Sequence, residues 1–355
     1  MTEPEPDQDA RIDRRRFLGG LGAAAAVVLQ GCTSTSGGSG PGTLSPSAGA
    51  RSASAGASMP AQVSASPAAA TPAAPRLPVT SPWQPTSAEI SPAVKLRAVR
   101  LLEALGSWSS GAADPVARPG LAAARARIAR LGYHPSLADE ASVLLGSSGS
   151  AAVQVVDAQY GGILSSSSSV LVVLQQWRTH AGTVAAGGTT VDVRLVVASP
   201  TWQVTAAHPA AASPAAPRLS AAAVQLLANP RVRLPVAARS DLRSGTISPG
   251  VLTALHGLAA RHVVDVSVVK SGHPLYVFGT NRLSDHPRGH AVDVWAIDGH
   301  PVVNPANRAL VESVMRLGAS LGAYQVGGPV DLDGGGLQYF SDNTHHDHIH
   351  LGFHS

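Results

Sequence analysis

Histidine is distributed very unevenly along this chain of 355 residues. Nine of the 14 histidines lie between His273 and His354. Random placement would not concentrate them in this way. Imidazole is the commonest metal ligand among side chains and also exchanges protons near neutral pH. The C-terminal region is therefore where we expect a site that binds a metal or transfers protons.

The first of two histidine clusters joins a predicted loop to a predicted strand. His286 lies in a loop-like segment that ends at Gly289, and a glycine there permits a close approach of the backbone. The residues that follow alternate as in a strand, so that Asp293 points away from the core side chains Val292 and Val294. A loop histidine and a strand aspartate can therefore converge on one cation.

The second cluster, residues 345–353, has the sequence HHDHIHLGF. Because residues two apart in a strand point the same way, His348 and His350 are predicted to share a face, with Ile349 and Leu351 buried behind them. Two imidazoles on one face can serve as one metal ligand and one acid/base group. Two histidines and one aspartate leave a fourth position on zinc open for water, and zinc lowers the pKa of such a water to about 7.

The first cluster matches the motif Ser-x-His-x-x-Gly-x-Ala-x-Asp at Ser284, His286, Gly289, Ala291 and Asp293. Together with the His-x-His pair near the end, this region resembles the zinc D-alanyl-D-alanine carboxypeptidases and dipeptidases. That group shares its fold with lysostaphin-type enzymes, murein endopeptidases and the hedgehog signalling domain. The resemblance covers about residues 263–353. It implies an α+β domain with an antiparallel sheet, in which His286, Asp293 and His350 bind Zn²⁺.

The residue that handles protons stays open between His348 and Asp347. The spacing of His345, His348 and His350 resembles the penicillin-insensitive murein endopeptidases, in which a histidine that is not a ligand assists catalysis. The carboxypeptidases usually have a glutamate three residues before the last zinc ligand, where this chain has Asp347. Strand alternation turns Asp347 away from His350, so we expect His348 to be the acid/base group. A bend at Asp347 would reverse that choice, and His345 is a third catalytic candidate.

Ser284 and Arg288 are the predicted substrate-binding residues. The family often has an upstream Ser-Gly-Tyr-Arg segment whose arginine binds a substrate carboxylate, but residues 271–274 here read SGHP. Lys270, Arg282 or Arg288 can replace that arginine, and the sequence does not choose among them. The missing arginine favours an endopeptidase slightly over a D,D-carboxypeptidase. It also leaves a second hypothesis, a non-catalytic zinc-stabilised module that binds cell-wall peptide or a partner protein.

The N-terminus has the features of an export signal. Arg14 and Arg15 begin a pattern similar to a twin-arginine signal, followed by an apolar run too short to span a bilayer. The run ends at Cys32, the single cysteine, in a context that resembles a bacterial lipobox. An ordinary signal with a chance cysteine is the alternative. Residues 1–32 are thus predicted to be a lipoprotein signal. The Ser/Gly/Ala/Pro-rich residues 33–85 are predicted to be a disordered tether that reaches from the outer face of the cell membrane into the cell wall.

Two further regions complete the predicted organisation. Residues 86–210 mix helical and β-branched segments, which predicts a small α+β domain of unknown role. Residues 218–355 are predicted to form the zinc peptidase-like domain. The net charge of +4 is too weak and too scattered to indicate a nucleic-acid partner. The expected partners are therefore peptidoglycan peptide, as substrate, and the membrane that a lipid on Cys32 would enter.

Overall fold

The structure is a computed structural model that describes residues 76–354. Arg14, Arg15, Cys32 and most of the predicted tether lie outside the described residues. The last part of the predicted tether is held in place, because Ser81 donates its backbone N–H to Gln154 Oε1 at 3.0 Å and Trp83 donates its own to Glu103 Oε1 at 2.9 Å. Among the helices of residues 76–354, none is long and apolar enough to cross a membrane.

The N-terminal half, residues 76–210, packs helices against an antiparallel sheet. Its helices are α1 (Pro92–Gly106), α2 (Leu121–Ala129) and α3 (Leu137–Glu140). Its strands pair in chain order and are β1 (Ala151–Ile163), β2 (Ser167–His180), β3 (Thr183–Val196) and β4 (Gln203–Pro209). The apolar side chains of α1 occur at helical spacing and meet alternate residues of the strands, as an amphipathic helix on a half-buried sheet requires.

The C-terminal half, residues 211–354, builds helices around a second sheet. Its helices are α4 (Ala221–Ala228), α5 (Val236–Arg243), α6 (Pro249–Ala259) and α7 (Arg308–Ser320). Its strands are β5 (Val232–Arg233), β6 (Val264–Val268), β7 (Ala291–Ile297), β8 (His300–Pro301), β9 (Gln325–Gly327), β10 (Tyr339–Phe340) and β11 (Ile349–Gly352). The strand order is β10-β9-β11-β7-β6-β5, with β8 paired to the end of β7.

Each half has its own hydrophobic core. In the C-terminal half, Val292 and Val294 of β7 lie with Ile349 and Leu351 of β11 in the core covered by α6 and α7. The opposite face of β7 carries Asp293, which contacts Gln159 of β1. The halves therefore meet through a polar layer in which buried side chains are hydrogen-bonded. The predicted domain boundary between residues 210 and 218 remains a prediction.

The predicted α+β class is confirmed. Two expectations were wrong. The C-terminal sheet is mixed, because β5 pairs parallel with β6 and β9 pairs parallel with β10. His348 does not lie in the last strand, which begins at Ile349.

Candidate metal centre

Strand pairing brings two of the three predicted ligands side by side. His350 of β11 lies directly opposite Asp293 of β7 in the antiparallel register. Their apolar neighbours point into the core, so both polar side chains point to the other face. His350 Nδ1 lies 3.0 Å from Asp293 Oδ1. This pairing is a direct consequence of the alternation predicted from the sequence.

The third predicted ligand, His286, comes from a tight turn before β7. Gly289 ends that turn at φ +75°, and a side chain there would collide with the Thr246 carbonyl oxygen, 2.5 Å from an added Cβ. His286 is fully buried. Its Nδ1 lies 2.8 Å from the Val269 carbonyl oxygen, which can only accept, so Nδ1 carries the proton and Nε2 presents a lone pair.

The three donor atoms converge on one point. His286 Nε2 lies 3.1 Å from Asp293 Oδ1 and 3.2 Å from His350 Nδ1. Tetrahedral zinc with bonds of about 2.0–2.1 Å holds its ligands about 3.3 Å apart, close to these separations. Two neutral imidazoles and one carboxylate are also a common zinc donor set. The described residues therefore fit a divalent metal, and the resemblance to zinc peptidases favours Zn²⁺.

The electrostatics around the centre suit a cation. Burial lowers the pKa of His350 to about 4, more than the nearby Asp293 raises it, which keeps this imidazole neutral and able to bind metal. Burial raises the pKa of Asp293, but His286 and His348 outweigh burial and hold that pKa well below its ordinary value. The centre therefore presents one ionised carboxylate between imidazole nitrogens.

His273 was not among the predicted site residues, although it lies at the centre. Its ring stacks on His286, with centroids 4.1 Å apart and planes inclined by 16°. One nitrogen of His273 lies within 4.8 Å of ligand atoms of both His286 and Asp293. We favour His350 as the third ligand because its Nδ1 lies 3.0 Å from Asp293 Oδ1 and 3.2 Å from His286 Nε2, close to the spacing of zinc ligands. The signal in the sequence was the substitution of the family's Ser-Gly-Tyr-Arg by SGHP, which put a histidine into that segment.

Helix α5 contacts the start of the segment that contains His273 through the side chain of Asp241. Asp241 is fully buried and accepts backbone N–H groups from Lys270 at 3.0 Å and Ser271 at 2.8 Å. These bonds fix the turn that follows Val269, whose carbonyl orients His286. The acceptor that orients this imidazole is thus the Val269 backbone carbonyl. Asp285 binds Tyr324 and Arg288, and Asp298 binds His262.

Asp347 and His348 form a hydrogen-bonded pair beside the centre. His348 Nδ1 lies 2.6 Å from Asp347 Oδ1, and His348 Nε2 lies 3.9 Å from Asp293 Oδ1. Burial lowers the pKa of His348, but Asp293 and Asp347 outweigh burial and raise it to about 9. Asp347 Oδ2 accepts the Tyr160 backbone N–H at 3.1 Å and the Lys95 ammonium at 2.7 Å. The chain does bend before β11, and the bend turns Asp347 away from the metal centre.

Lys95, Glu89, Asp347 and His346 form a buried cluster between the halves, here called the lysine cluster. Lys95 is fully buried on α1 and binds both carboxylates. Glu89, Asp347 and His346 also have a spacing that a metal ion could use. However, Lys95 already lies between the two carboxylates, and His346 Nε2 accepts the Ile90 N–H at 3.1 Å. The cation of this cluster is therefore the lysine ammonium.

Asp157 lies near the lysine cluster at a bulge in β1, where the pairing with β2 shifts after Val155. Among the described groups, none donates a hydrogen bond to its buried Oδ2. Burial raises the pKa of Asp157 to about 7, although Lys95 opposes the shift. This carboxyl therefore changes charge near neutral pH.

Both halves line a cleft of about 420 Å³ that opens onto the metal centre. On the N-terminal side the cleft is lined by Ile163 and Leu164 at the end of β1. On the C-terminal side it is lined by Phe278 and Ser284. Phe278 packs so closely on the glycine at 162 that an added Cβ would lie 2.1 Å from it. The N-terminal half is thus a wall of the cleft.

The predicted basic substrate-binding residues differ in their positions. Arg282 lines the cleft. Arg288 does not line the cleft, and its guanidinium is paired with Asp285. Lys270 does not line the cleft either, and it binds Thr246. Arg282 is therefore the arginine best placed to meet a bound peptide.

His345 lies in the cleft wall. Its Nδ1 is 2.8 Å from Asp342 Oδ1, and its ring packs edge-on against Phe340 with centroids 4.6 Å apart. The ring centroids of His345 and His348 are 5.1 Å apart. The site therefore brings His345 and His348 together in the cleft, with His348 Nε2 3.9 Å from Asp293 Oδ1, whereas Asp347 lies behind His348. Comparisons of the chain with protein-family models, curated proteins and solved structures gave no match.

Proposed function

We propose that this chain is an exported, lipid-anchored zinc peptidase that hydrolyses peptide bonds in peptidoglycan. The observation that carries the proposal is the convergence of His286, Asp293 and His350, with a proton-carrying imidazole beside them at the base of an open cleft. Its fold would be that of the hedgehog and D,D-peptidase group. The choice of cell-wall peptide as substrate rests on the sequence resemblance.

The donor set suits catalysis as well as structure. Three protein ligands leave a position free, whereas structural zinc sites are usually closed by four. When bound, zinc would polarise the scissile carbonyl and lower the pKa of a water molecule to about 7. The carboxylate of Asp293 and the two imidazoles would hold the ion at the end of the cleft.

His348 is the residue we assign to proton transfer. Asp347 engages its Nδ1, so Nε2 is the nitrogen that faces the metal centre. From there Nε2 can exchange a proton with the attacking water and with the leaving amine. Asp347 is less suited, because one of its oxygens binds His348 and the other binds Lys95 and the Tyr160 backbone. Asp347 would orient His348 instead.

We favour an endopeptidase over a D,D-carboxypeptidase. Residues of both halves line the cleft beside the metal centre, and we infer that an extended peptide lies across the centre between them. Arg282 would bind a carboxylate of the peptide. The peptides of the cell wall carry free carboxyl groups, so this role fits an endopeptidase as well as a D,D-carboxypeptidase. Export and lipid attachment at Cys32 are part of the proposal and rest on the sequence pattern alone.

The test measures zinc content and the cleavage of purified muropeptides on one preparation of the protein. We expect about one zinc per chain and cleavage that a chelator abolishes and added zinc restores, since the three ligands define one site. The masses of the products identify the bond that is cut. Bound zinc without cleavage of cross-linked or uncross-linked muropeptides would instead support the non-catalytic module.

A further inference from the structure

Strand β1 of the N-terminal half reaches the metal centre through one side chain. Gln159 is 1% exposed, and its Nε2 lies 2.7 Å from Asp293 Oδ2. The Gln159 Oε1 in turn accepts the Ser267 hydroxyl of β6, which also lies 3.3 Å from the Asp293 backbone carbonyl. Ser267, Gln159 and Asp293 thus form a chain of hydrogen bonds behind the centre, in which the hydroxyl donates to the amide and the amide donates to the carboxylate.

The two oxygens of Asp293 have different partners. Oδ1 faces His286 Nε2 and His350 Nδ1, whereas Oδ2 accepts from Gln159. A carboxylate accepts only, so the amide must present its NH₂ group to Oδ2. The Ser267 hydroxyl donates to the other end of the amide and holds it in that orientation. Without Gln159, Oδ2 would be a buried oxygen with a lone pair to satisfy, and the carboxylate would be free to rotate.

We propose that Gln159 is a positioning residue of the metal centre, which holds Asp293 so that Oδ1 alone binds a divalent cation. The inference rests on the zinc site of the proposed function and deepens it. It gives the N-terminal half a role, because that half supplies a hydrogen-bond donor behind a ligand of the C-terminal half. Partners of this kind orient ligands, and their loss typically weakens metal binding by about 10- to 100-fold.

The test replaces Gln159 by methionine in the full chain, which keeps the length of the side chain and removes both polar groups. Gln154→Met is the matched control, because Gln154 lies on the same strand and contacts Ser81 rather than the centre. Zinc affinity is measured by competition with a chromogenic chelator. We expect about 10- to 100-fold weaker binding for Gln159→Met and an unchanged affinity for Gln154→Met.

A second readout separates positioning from a general loss of stability. Cobalt(II) reports the geometry of the centre through its visible absorption. A change in the intensity or position of these bands in Gln159→Met, with an unchanged spectrum in Gln154→Met, is the expected result. Melting of the metal-free proteins shows whether the substitution damages the fold. If Gln159→Met does not fold, Ser267→Ala takes its place, because it frees the amide and should weaken zinc binding in the same direction by less than about tenfold.

Two outcomes overturn the inference in different ways. If the unsubstituted protein binds zinc, but Gln159→Met and Ser267→Ala bind it equally well with unchanged cobalt spectra, Gln159 has no positioning role and the proposed zinc site stands. If the unsubstituted protein binds neither zinc nor cobalt, the proposed function fails and the inference fails with it. Zinc binding without hydrolysis overturns the enzyme alone and leaves the role of Gln159 intact.

Discussion

The lysine cluster and the metal centre are two buried clusters of histidine and carboxylate, connected by the Asp347–His348 pair. The negative charge of the carboxylates is neutralised differently in the two clusters. The lysine cluster has its own cation, because Lys95 lies between Glu89 and Asp347. The metal centre has a carboxylate, Asp293, within 3.1 Å of nitrogens from two imidazoles, His286 and His350. Similar residue types therefore make a permanent ion cluster in one place and a set of donor atoms for a metal ion in the other.

The difference shows that spacing alone does not identify a metal site. His273, His286 and Asp293 in the metal centre have ligand atoms within 4.8 Å of one another, and so do Glu89, His346 and Asp347 in the lysine cluster. A buried carboxylate needs a cation or several donors, because an unpaired buried charge costs several kcal/mol. In the lysine cluster the ammonium meets that need. In the metal centre the need is met in part by His348, whose pKa Asp293 helps to raise.

The largest expected effect distinguishes the two clusters by their affinity for zinc. We expect His350→Ala to weaken zinc binding at least about 1000-fold, because a ligand contributes more than the outer partners whose loss costs 10- to 100-fold. His346→Ala, the matched change in the lysine cluster, should leave the affinity within about twofold. Chelator competition measures both. A loss of affinity in His346→Ala alone would move the ion to the lysine cluster.

The next effect concerns the pair that joins the clusters. His348→Ala should lower kcat by about 10²- to 10⁴-fold, the usual contribution of a positioned acid/base group. It should leave zinc content unchanged, because His348 is not among the ligands. Muropeptide turnover and metal content on the same preparation test both statements. A fully active His348→Ala protein would remove this residue from proton transfer and return Asp347 or His345 to consideration.

The lysine cluster should matter for stability more than for metal. Lys95→Met leaves Glu89 and Asp347 buried without their cation, which typically costs about 3–5 kcal/mol of unfolding free energy. Arg100→Met, on the exposed face of the same helix, should change it by less than about 0.5 kcal/mol. Urea denaturation of the two variants gives the comparison. If Lys95→Met and Arg100→Met had the same free energy of unfolding, the lysine cluster would not stabilise the contact between the two halves.

The metal centre was easier to predict from the sequence than the lysine cluster. Its residues follow local strand patterns, whereas the lysine cluster joins residues that lie far apart in the chain. Asp293 and His350 lie on paired strands, and alternation put both on the polar face. Lys95 reads as a surface residue, since lysine is almost never fully buried unless it is paired. A signal was present, because Lys95 shares the apolar stripe of α1 with Ala98, Val99 and Leu102.

The misplaced start of the last strand has the same origin. Alternation predicted His348 on the face of His350, but the chain bends before Ile349 so that Asp347 can reach Lys95 and the Tyr160 backbone. Those partners come from the other half of the described chain, and no local pattern contains them. Gln159 was likewise unremarkable within its β-branched run, since its partner Asp293 is 134 residues away.

The smallest expected effect tests how far the charge balance of the lysine cluster extends. Asp157 faces Lys95, Glu89, Asp347 and His348, and burial raises its pKa to about 7 from an ordinary value of 3.8. Between these two values the folded state binds a proton that the unfolded state does not. Stability from this group is therefore lost as pH rises from about 4 to about 7.

Asp157→Asn removes that titration, so the free energy of unfolding of the variant relative to the natural chain should increase from pH 5 to pH 8, by up to about 3 kcal/mol. Urea denaturation at the two pH values measures the gain. Asp139→Asn is the control, because Arg125 lowers the pKa of this exposed carboxyl and keeps it ionised at both pH values. Its effect on stability should be equal at pH 5 and pH 8. A pH-independent effect of Asp157→Asn would mean that Asp157 stays ionised, so that Lys95 compensates three carboxylates rather than two.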